Sequence, residues 1–151
     1  MRALLAALFL AAPGLAWGQA ASDGPALFKR CAACHLATGA GVPGAFPPLR
    51  TDVRALAGKA GGRRYLALVV AKGVSGPITV EGKTYRGVMP AQAGLNDAQI
   101  AAVLNHVVTS VASGGSEVKP FTAAEIGGHR ASAAQLNAAA IGRLHTDLDG
   151  K

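Results

Sequence analysis

Between Asp97 and Ala112 the apolar side chains fall at Ile100, Val103, Leu104, Val107, Val108 and Val111. That spacing makes one continuous stripe on a helix. Asn96-x-x-Gln99 immediately before it has the form of a capping box. A second apolar segment, Tyr65, Leu66, Leu68, Val69 and Val70, predicts a helix from about Arg63 to Lys72. Gly61-Gly62 precedes it and Gly73 stands where a C-terminal cap belongs. A shorter helix from Thr51 or Asp52 to about Lys59 is expected before it. Near the start, Ser22 or Asp23 can cap a helix carrying Pro25 in its first turn and Leu27, Phe28 and Cys31 on one side. The period then changes: Ile78-Thr79-Val80 and Lys83-Thr84-Tyr85 flank Glu81-Gly82 and predict a β-hairpin. Two strands are marginal by themselves, so the hairpin must lean on the helices.

Ser113-Gly114-Gly115-Ser116 breaks the pattern. Beyond it, Thr122-x-x-Glu125 and Ser132-x-x-Gln135 predict helices over about 123–131 and 133–145. Both are Ala-rich, with Ile126, Leu136, Ile141 and Leu144 as a thin apolar face. Such a tail cannot fold alone. It is expected to wrap on the preceding domain, with partial disorder as the alternative. His129 and His145 in this tail are read as surface residues. His106, roughly 130° from the centre of its helix's stripe at 100° per residue, is read as a solvent-edge histidine.

The first twenty residues have a different character. Arg2 precedes an apolar run, Ala3 to Ala12, which is short for a bilayer span, and small residues follow at Ala16, Gly18 and Ala20. This is the form of a secretory leader, with cleavage expected near Ala20. The mature chain is then an exported, soluble, periplasmic protein, expected to be a monomer. The formal charge of the 151 residues is +7, and loss of Arg2 leaves +6. A balance of that sign favours acidic partners and faster encounter with them, and permits transient contact with a membrane surface. Nucleic acid is not an expected partner, because the basic residues are dispersed with few aromatics among them.

Aromatic residues make up only 5% of the chain, thin filling for a core of this size. The candidate chemistry lies at Cys31-Ala32-Ala33-Cys34-His35. Thiols three apart share one face of a helix, and a histidine follows at once. This is the pattern of covalent haem attachment, and an embedded macrocycle would fill the missing core. A disulfide or a thioredoxin-like dithiol fits less well, since no βαβ setting surrounds the pair. A zinc site would need a second Cys or His pair at ligand spacing, which is lacking. After His35 the chain is rich in Gly and Pro. The turn Phe46-Pro47-Pro48-Leu49 leaves carbonyls free, and that of Pro47 is the candidate acceptor for the second N–H of His35. Met89, the one methionine left after the leader, stands before Pro90 between the hairpin and the next helix. It is the candidate sixth ligand of the iron, and His/Met ligation suits an electron carrier.

Taken together, Cys31 to His35, the Phe46–Leu49 turn and Gly87-Val88-Met89-Pro90 resemble the class I c-type cytochromes. The resemblance is nearer still to the thermophile-type soluble monohaem cytochromes c that donate electrons to a terminal oxidase. Gly61-Gly62-Arg63, the hairpin, Tyr85-x-Gly87-Val88-Met89, Leu104-Asn105-His106 and Pro120-Phe121-Thr122-x-x-Glu125 belong to the same likeness. It implies an all-α cytochrome c fold with a small β-hairpin insert and a C-terminal helical extension. The expected division is a leader over 1–20, a monohaem domain over 21–112 and the extension over 113–151. It also implies one haem c, thioethers at Cys31 and Cys34, axial ligation by His35 and Met89, and a Pro47 carbonyl orienting His35. Tyr65 and Arg50 would lie near the propionates. Arg86 replaces the Asn frequent in that family, and no role is carried over to it.

The implied function is a non-enzymatic, single-electron shuttle of a respiratory chain. Its partners would be a terminal oxidase and an upstream donor such as a bc1-type complex or a dehydrogenase. Two alternatives remain at this point: a dedicated acceptor for one periplasmic dehydrogenase, and a peroxidase or ligand sensor in which Met89 dissociates.

Overall fold

The structure, a computed structural model, describes residues 23–148. The leader expected over 1–20 lies outside the described residues. The chain forms α1 (Gly24–His35), α2 (Asp52–Ala57), α3 (Ala60–Lys72), strands β1 (Val74–Ser75), β2 (Ile78–Val80), β3 (Lys83–Tyr85) and β4 (Val88–Met89), then α4 (Asp97–His106), α5 (Ala123–Ser132) and α6 (Ala138–Leu148). Among the described residues, no helix is long and apolar enough to cross a membrane.

Helix α1 begins with Pro25 in its first turn, where a missing N–H costs nothing. It crosses α4 closely, because a Cβ on Gly24 would lie 2.5 Å from the Ala102 carbonyl oxygen. Helix α4 carries the full capping box, with Asn96 Oδ1 accepting from Gln99 N and Gln99 Oε1 accepting from Asn96 N. Its stripe is buried at Ile100, Val103, Leu104, Val107 and Val108. The helix does not continue as α to Ala112. Residues Val107–Val111 form a π-helical turn, and the Arg54 guanidinium donates to the Val108 carbonyl there.

The β-hairpin forms as the sequence implies, with Ile78 opposite Tyr85 and Val80 opposite Lys83. Glu81 and Gly82, both at positive φ, make the two-residue turn. The all-α expectation is too narrow. Alongside the helices stands a second antiparallel pair, Val74 opposite Met89 and Ser75 opposite Val88, which encloses the hairpin.

Two helix starts also differ from expectation. Gly61-Gly62 does not separate α2 from α3 but sits in the first turn of α3. A Cβ at Gly62 would stand 2.0 Å from the Leu56 carbonyl oxygen, and one at Gly61 would stand 2.8 Å from Leu148. The pair allows α3 to lie against both α2 and α6. Likewise α6 begins at Ala138, because Ser132 turns its hydroxyl back to the His129 carbonyl and ends α5. Lys72 then takes the carbonyls of Ala134 and Leu136, and Asn137 Oδ1 accepts from Ala140 N to start α6.

Helix α5 packs on α3 and α4, and α6 on α3, β1 and β2. Ile126 and Ile141 are fully buried and belong to the same core as Leu68 and Ile100. The extension is held by polar ties as well. Asn105 and Phe121 exchange two hydrogen bonds, Arg130 pairs with Asp97, and Arg63 grips Glu125.

Candidate functional site

Between α1, α3, α4 and the strands lies an apolar cleft enclosing about 1140 Å³ of atom-free space, its mouth included. Cys31, Cys34, His35, Pro47 and Met89 all line it, although they come from three separate stretches of the chain. The remaining wall is largely aliphatic and aromatic: Val53 and Leu56 of α2, Leu66 and Val70 of α3, Val103 and Leu104 of α4. A cleft with so apolar a lining is suited to a large flat apolar ligand.

Cys31 and Cys34 are half-buried, one helical turn apart at the end of α1. Burial pushes the Cys31 thiol up, against the lowering influence of Arg30 and of its own backbone amide.

His35 is 7% exposed, and its Nδ1 lies 2.8 Å from the Pro47 carbonyl oxygen. A carbonyl only accepts, so Nδ1 carries the hydrogen and Nε2 keeps the lone pair. Burial drives the imidazole's pKa down, with the Pro47 bond opposing. The outcome is a neutral, oriented imidazole with a single nitrogen available for a metal. The loop that delivers Pro47 depends on Gly41. This residue has φ of +63°, and a Cβ there would lie 2.4 Å from the Phe46 carbonyl oxygen and 2.7 Å from that of Pro47.

Met89 is not in a loop, as the sequence suggested, but on β4, opposite Val74. Gly73, at φ +76°, lets this segment pass the end of α3, since a Cβ there would lie 2.4 Å from the Met89 carbonyl oxygen. The pairing with β1 and the close approach at Gly73 just before it together fix the thioether's origin.

Tyr65 reaches the cleft, buried at 4% exposure. Arg50 lies instead around an adjoining hollow with Thr51, Glu81 and Lys83. Arg86 is exposed. His106 stands edge-on to Phe28, with ring centroids 5.3 Å apart, and is not part of the cleft wall. His129 is partly covered, its Nε2 3.6 Å from Glu125 Oε1, so it is less exposed than expected.

The surface assignment of His145 is wrong. Its side chain is 1% exposed, and it lines the cleft together with Asp52 and Tyr65. The signal was in the register. Ile141, Leu144, His145 and Leu148 fall at i, i+3, i+4 and i+7, so the histidine shares the face that α6 buries.

Comparison with known proteins agrees with this geometry. The family described as Cytochrome c matches residues 21–110. Two relatives, both named Cytochrome c-552, come from Thermus thermophilus. One is 48% identical over 127 residues, covering 83% of this chain and 83% of its own length. The other is 48% identical over 107 residues, covering 70% of this chain and 82% of its own length. Cys31 and Cys34 stand at the spacing of haem attachment, inside the matched region and facing the cleft. The chain is thus a member of the cytochrome c family, a class I c-type cytochrome of the thermophile type that carries one covalently bound haem c and serves electron transfer.

Proposed function

We propose that this cytochrome is a periplasmic carrier of single electrons in a respiratory chain, delivering them to a terminal oxidase and performing no catalysis of its own. In this reading residues 21–112 form the haem domain and residues 113–151 a strap across it. Cys31 and Cys34 form the thioethers, His35 and Met89 are the axial ligands, and the Pro47 carbonyl orients His35. The observation that carries the reading is the Nδ1–Pro47 hydrogen bond, which leaves His35 Nε2 for iron in the cleft that Met89 also lines. The haem supplies a one-electron ferric/ferrous couple.

The protein's part is to hold both ligands still. His35 is fixed by its hydrogen bond and burial, and Met89 by strand pairing and the Gly73 contact. If His35 and Met89 both held the iron in either oxidation state, little rearrangement would oppose transfer and no position would stand open for a substrate. That anchoring also speaks against the peroxidase or sensor reading, which needs Met89 to leave readily. Electrons would pass at the cleft mouth, where Val88 is 69% exposed and Phe46 is 37% exposed. The positive balance of the chain would bring an acidic donor or acceptor to that face, and association should weaken as salt is raised.

The ligand test is spectral. Ferric protein should show a thioether-to-iron charge-transfer band that disappears in Met89→Ala. Its absence from the unmodified protein would overturn His/Met ligation. Rapid binding of carbon monoxide to the native ferrous protein would favour the sensor reading instead.

A further inference from the structure

We propose that His145, delivered by the C-terminal extension, is a proton-linked residue of the haem cleft that gains a proton when the haem is reduced. The inference rests on the haem occupying the cleft in which His145 stands. It is carried by three placements. His145 is all but fully buried and lines the cleft that also holds Cys31, His35 and Met89. Its Nε2 lies 3.5 Å from Asp52 Oδ2 on α2. Its ring stands edge-on to Tyr65 of α3, centroids 5.0 Å apart and inclined by 71°.

An imidazole is the side chain whose charge changes over about pH 5–8. Complete burial opposes the charged form, and a neighbouring carboxylate favours it, so the two influences act against each other at this ring. Strands β1 and β2 carry no titratable side chain. On α3, Arg63 is turned to Glu125 and Lys72 to the carbonyls of Ala134 and Leu136, while Arg64 is partly exposed. Lys59, just before α3, donates to the Leu148 carbonyl. On α6 itself Arg143 and Asp147 are exposed. Asp52 faces the ring, and the haem with its own carboxylates would add its charge in the same cleft.

Reduction removes one positive charge from the cleft. In a largely apolar wall that change is weakly screened, so an imidazolium becomes easier to hold. The balance is simple: one electron comes from the donor to the iron, and one proton comes from solvent to the His145 imidazole. Asp52, whose side chain is 23% exposed, gives that proton a polar route to the ring. Reoxidation returns the proton to solvent. The reduction equilibrium of the carrier then depends on pH.

The experiment is an optical redox titration of the full haem-loaded protein between pH 5 and 8. In the unmodified protein, raising the pH should shift the equilibrium toward the oxidised form, at most tenfold per pH unit, or about 59 mV for one electron. The slope should vanish in His145→Gln and move to lower pH in Asp52→Asn. Nuclear magnetic resonance of the unmodified protein gives a second reading that needs no variant to fold. The His145 ring should titrate at higher pH in the ferrous state than in the ferric. A flat potential in the unmodified protein, a slope unchanged in His145→Gln (which would assign it to the haem carboxylates), or a ring titration blind to oxidation state overturns the proposal. The charge-transfer band is read in the same samples. Its presence with no pH slope rejects the His145 linkage alone, whereas its absence rejects the ligation.

Discussion

Arg63 is the point at which α3 holds the extension, and replacing it offers a sharp test of how the two parts are joined. Its Nε and one terminal nitrogen reach Glu125 at 2.6 and 2.7 Å, a bidentate grip. The other terminal nitrogen donates to the Lys119 carbonyl at 2.8 Å, and the guanidinium lies 4.0 Å from the centre of the Phe121 ring. The side chains of Arg63 and Glu125 are 15% and 25% exposed. The pair therefore falls between a surface ion pair, worth about 0.2–1 kcal/mol, and a buried one, whose breakage costs about 3–5 kcal/mol. Glu125 can turn partly to water when Arg63 is removed, which trims the upper figure. The contact with Phe121 adds about 0.5–1 kcal/mol. Arg63→Ala should thus cost about 2–3 kcal/mol, seen as a lower denaturant midpoint at unchanged slope. The acid dependence follows from Glu125. The Arg63 hydrogen bonds hold its carboxyl below the ordinary value of 4.5, outweighing the upward influence of burial. A folded pKa below the unfolded one stabilises fully above the unfolded value, and that contribution is lost as pH falls through the folded value. The difference between unmodified protein and Arg63→Ala should accordingly be full at pH 7 and shrink below the ordinary carboxylate range. A difference under about 0.5 kcal/mol at pH 7 would place the pair with ordinary surface ion pairs. A difference constant down to pH 3 would show that the lost energy is packing and not charge.

Two glycines give further outcomes. Gly62→Ala would drive a Cβ onto the Leu56 backbone, which cannot move aside cheaply, so a loss of about 3 kcal/mol in equilibrium unfolding is expected. Gly41→Ala meets both a left-handed φ and the Pro47 carbonyl. It should cost about 2 kcal/mol and, by displacing the acceptor of His35 Nδ1, leave the imidazole a weaker donor to iron. A redox titration of that variant should show a raised potential, and an unchanged potential would mean that the Pro47 bond survives.

What could be read before the structure was local. Cys31 to His35, the Asn96–Gln99 box and the Glu81-Gly82 turn each complete their signal within a few residues, and each forms where the spacing puts it. Pro47 and Met89 stand out in the sequence as a carbonyl left free in a Pro-Pro turn and the one thioether beyond the leader, and the structure brings both to the cleft. What was not legible depends on distant partners. Gly61-Gly62 reads as a break in the chain, yet its glycines serve two neighbouring helices that are invisible locally. A strand of two residues, such as Val74–Ser75 or Val88–Met89, is too short to show a period. Ser132-x-x-Gln135 has the letters of a helix start, but Lys72 engages the carbonyls that a helix there would need. The face of His145 is set by its neighbours Ile141, Leu144 and Leu148 at helical spacing and not by its own polarity.

The ties of the extension also explain how a histidine can be placed so deeply. Most of them end on its backbone: Arg63 on Lys119, Lys72 on Ala134 and Leu136, Lys59 on Leu148, and Asn105 on Phe121. Carbonyls are present whatever side chains the extension carries, so the grip fixes the course of the chain and leaves its side chains free to vary. Lys72 anchors the segment just before α6 and Lys59 its far end, so the helix cannot slide along the strands. Gly142 removes the remaining freedom, since a Cβ there would lie 2.5 Å from the Ser75 carbonyl oxygen. With its axis set at both ends and pressed on β1, α6 has one face to bury, and position 145 falls on it. An aliphatic residue would fill that place at less cost in desolvation. The imidazole there is tolerated because Asp52 and Tyr65 meet it, and it adds a second titratable group beside that carboxylate in a wall that is otherwise largely apolar.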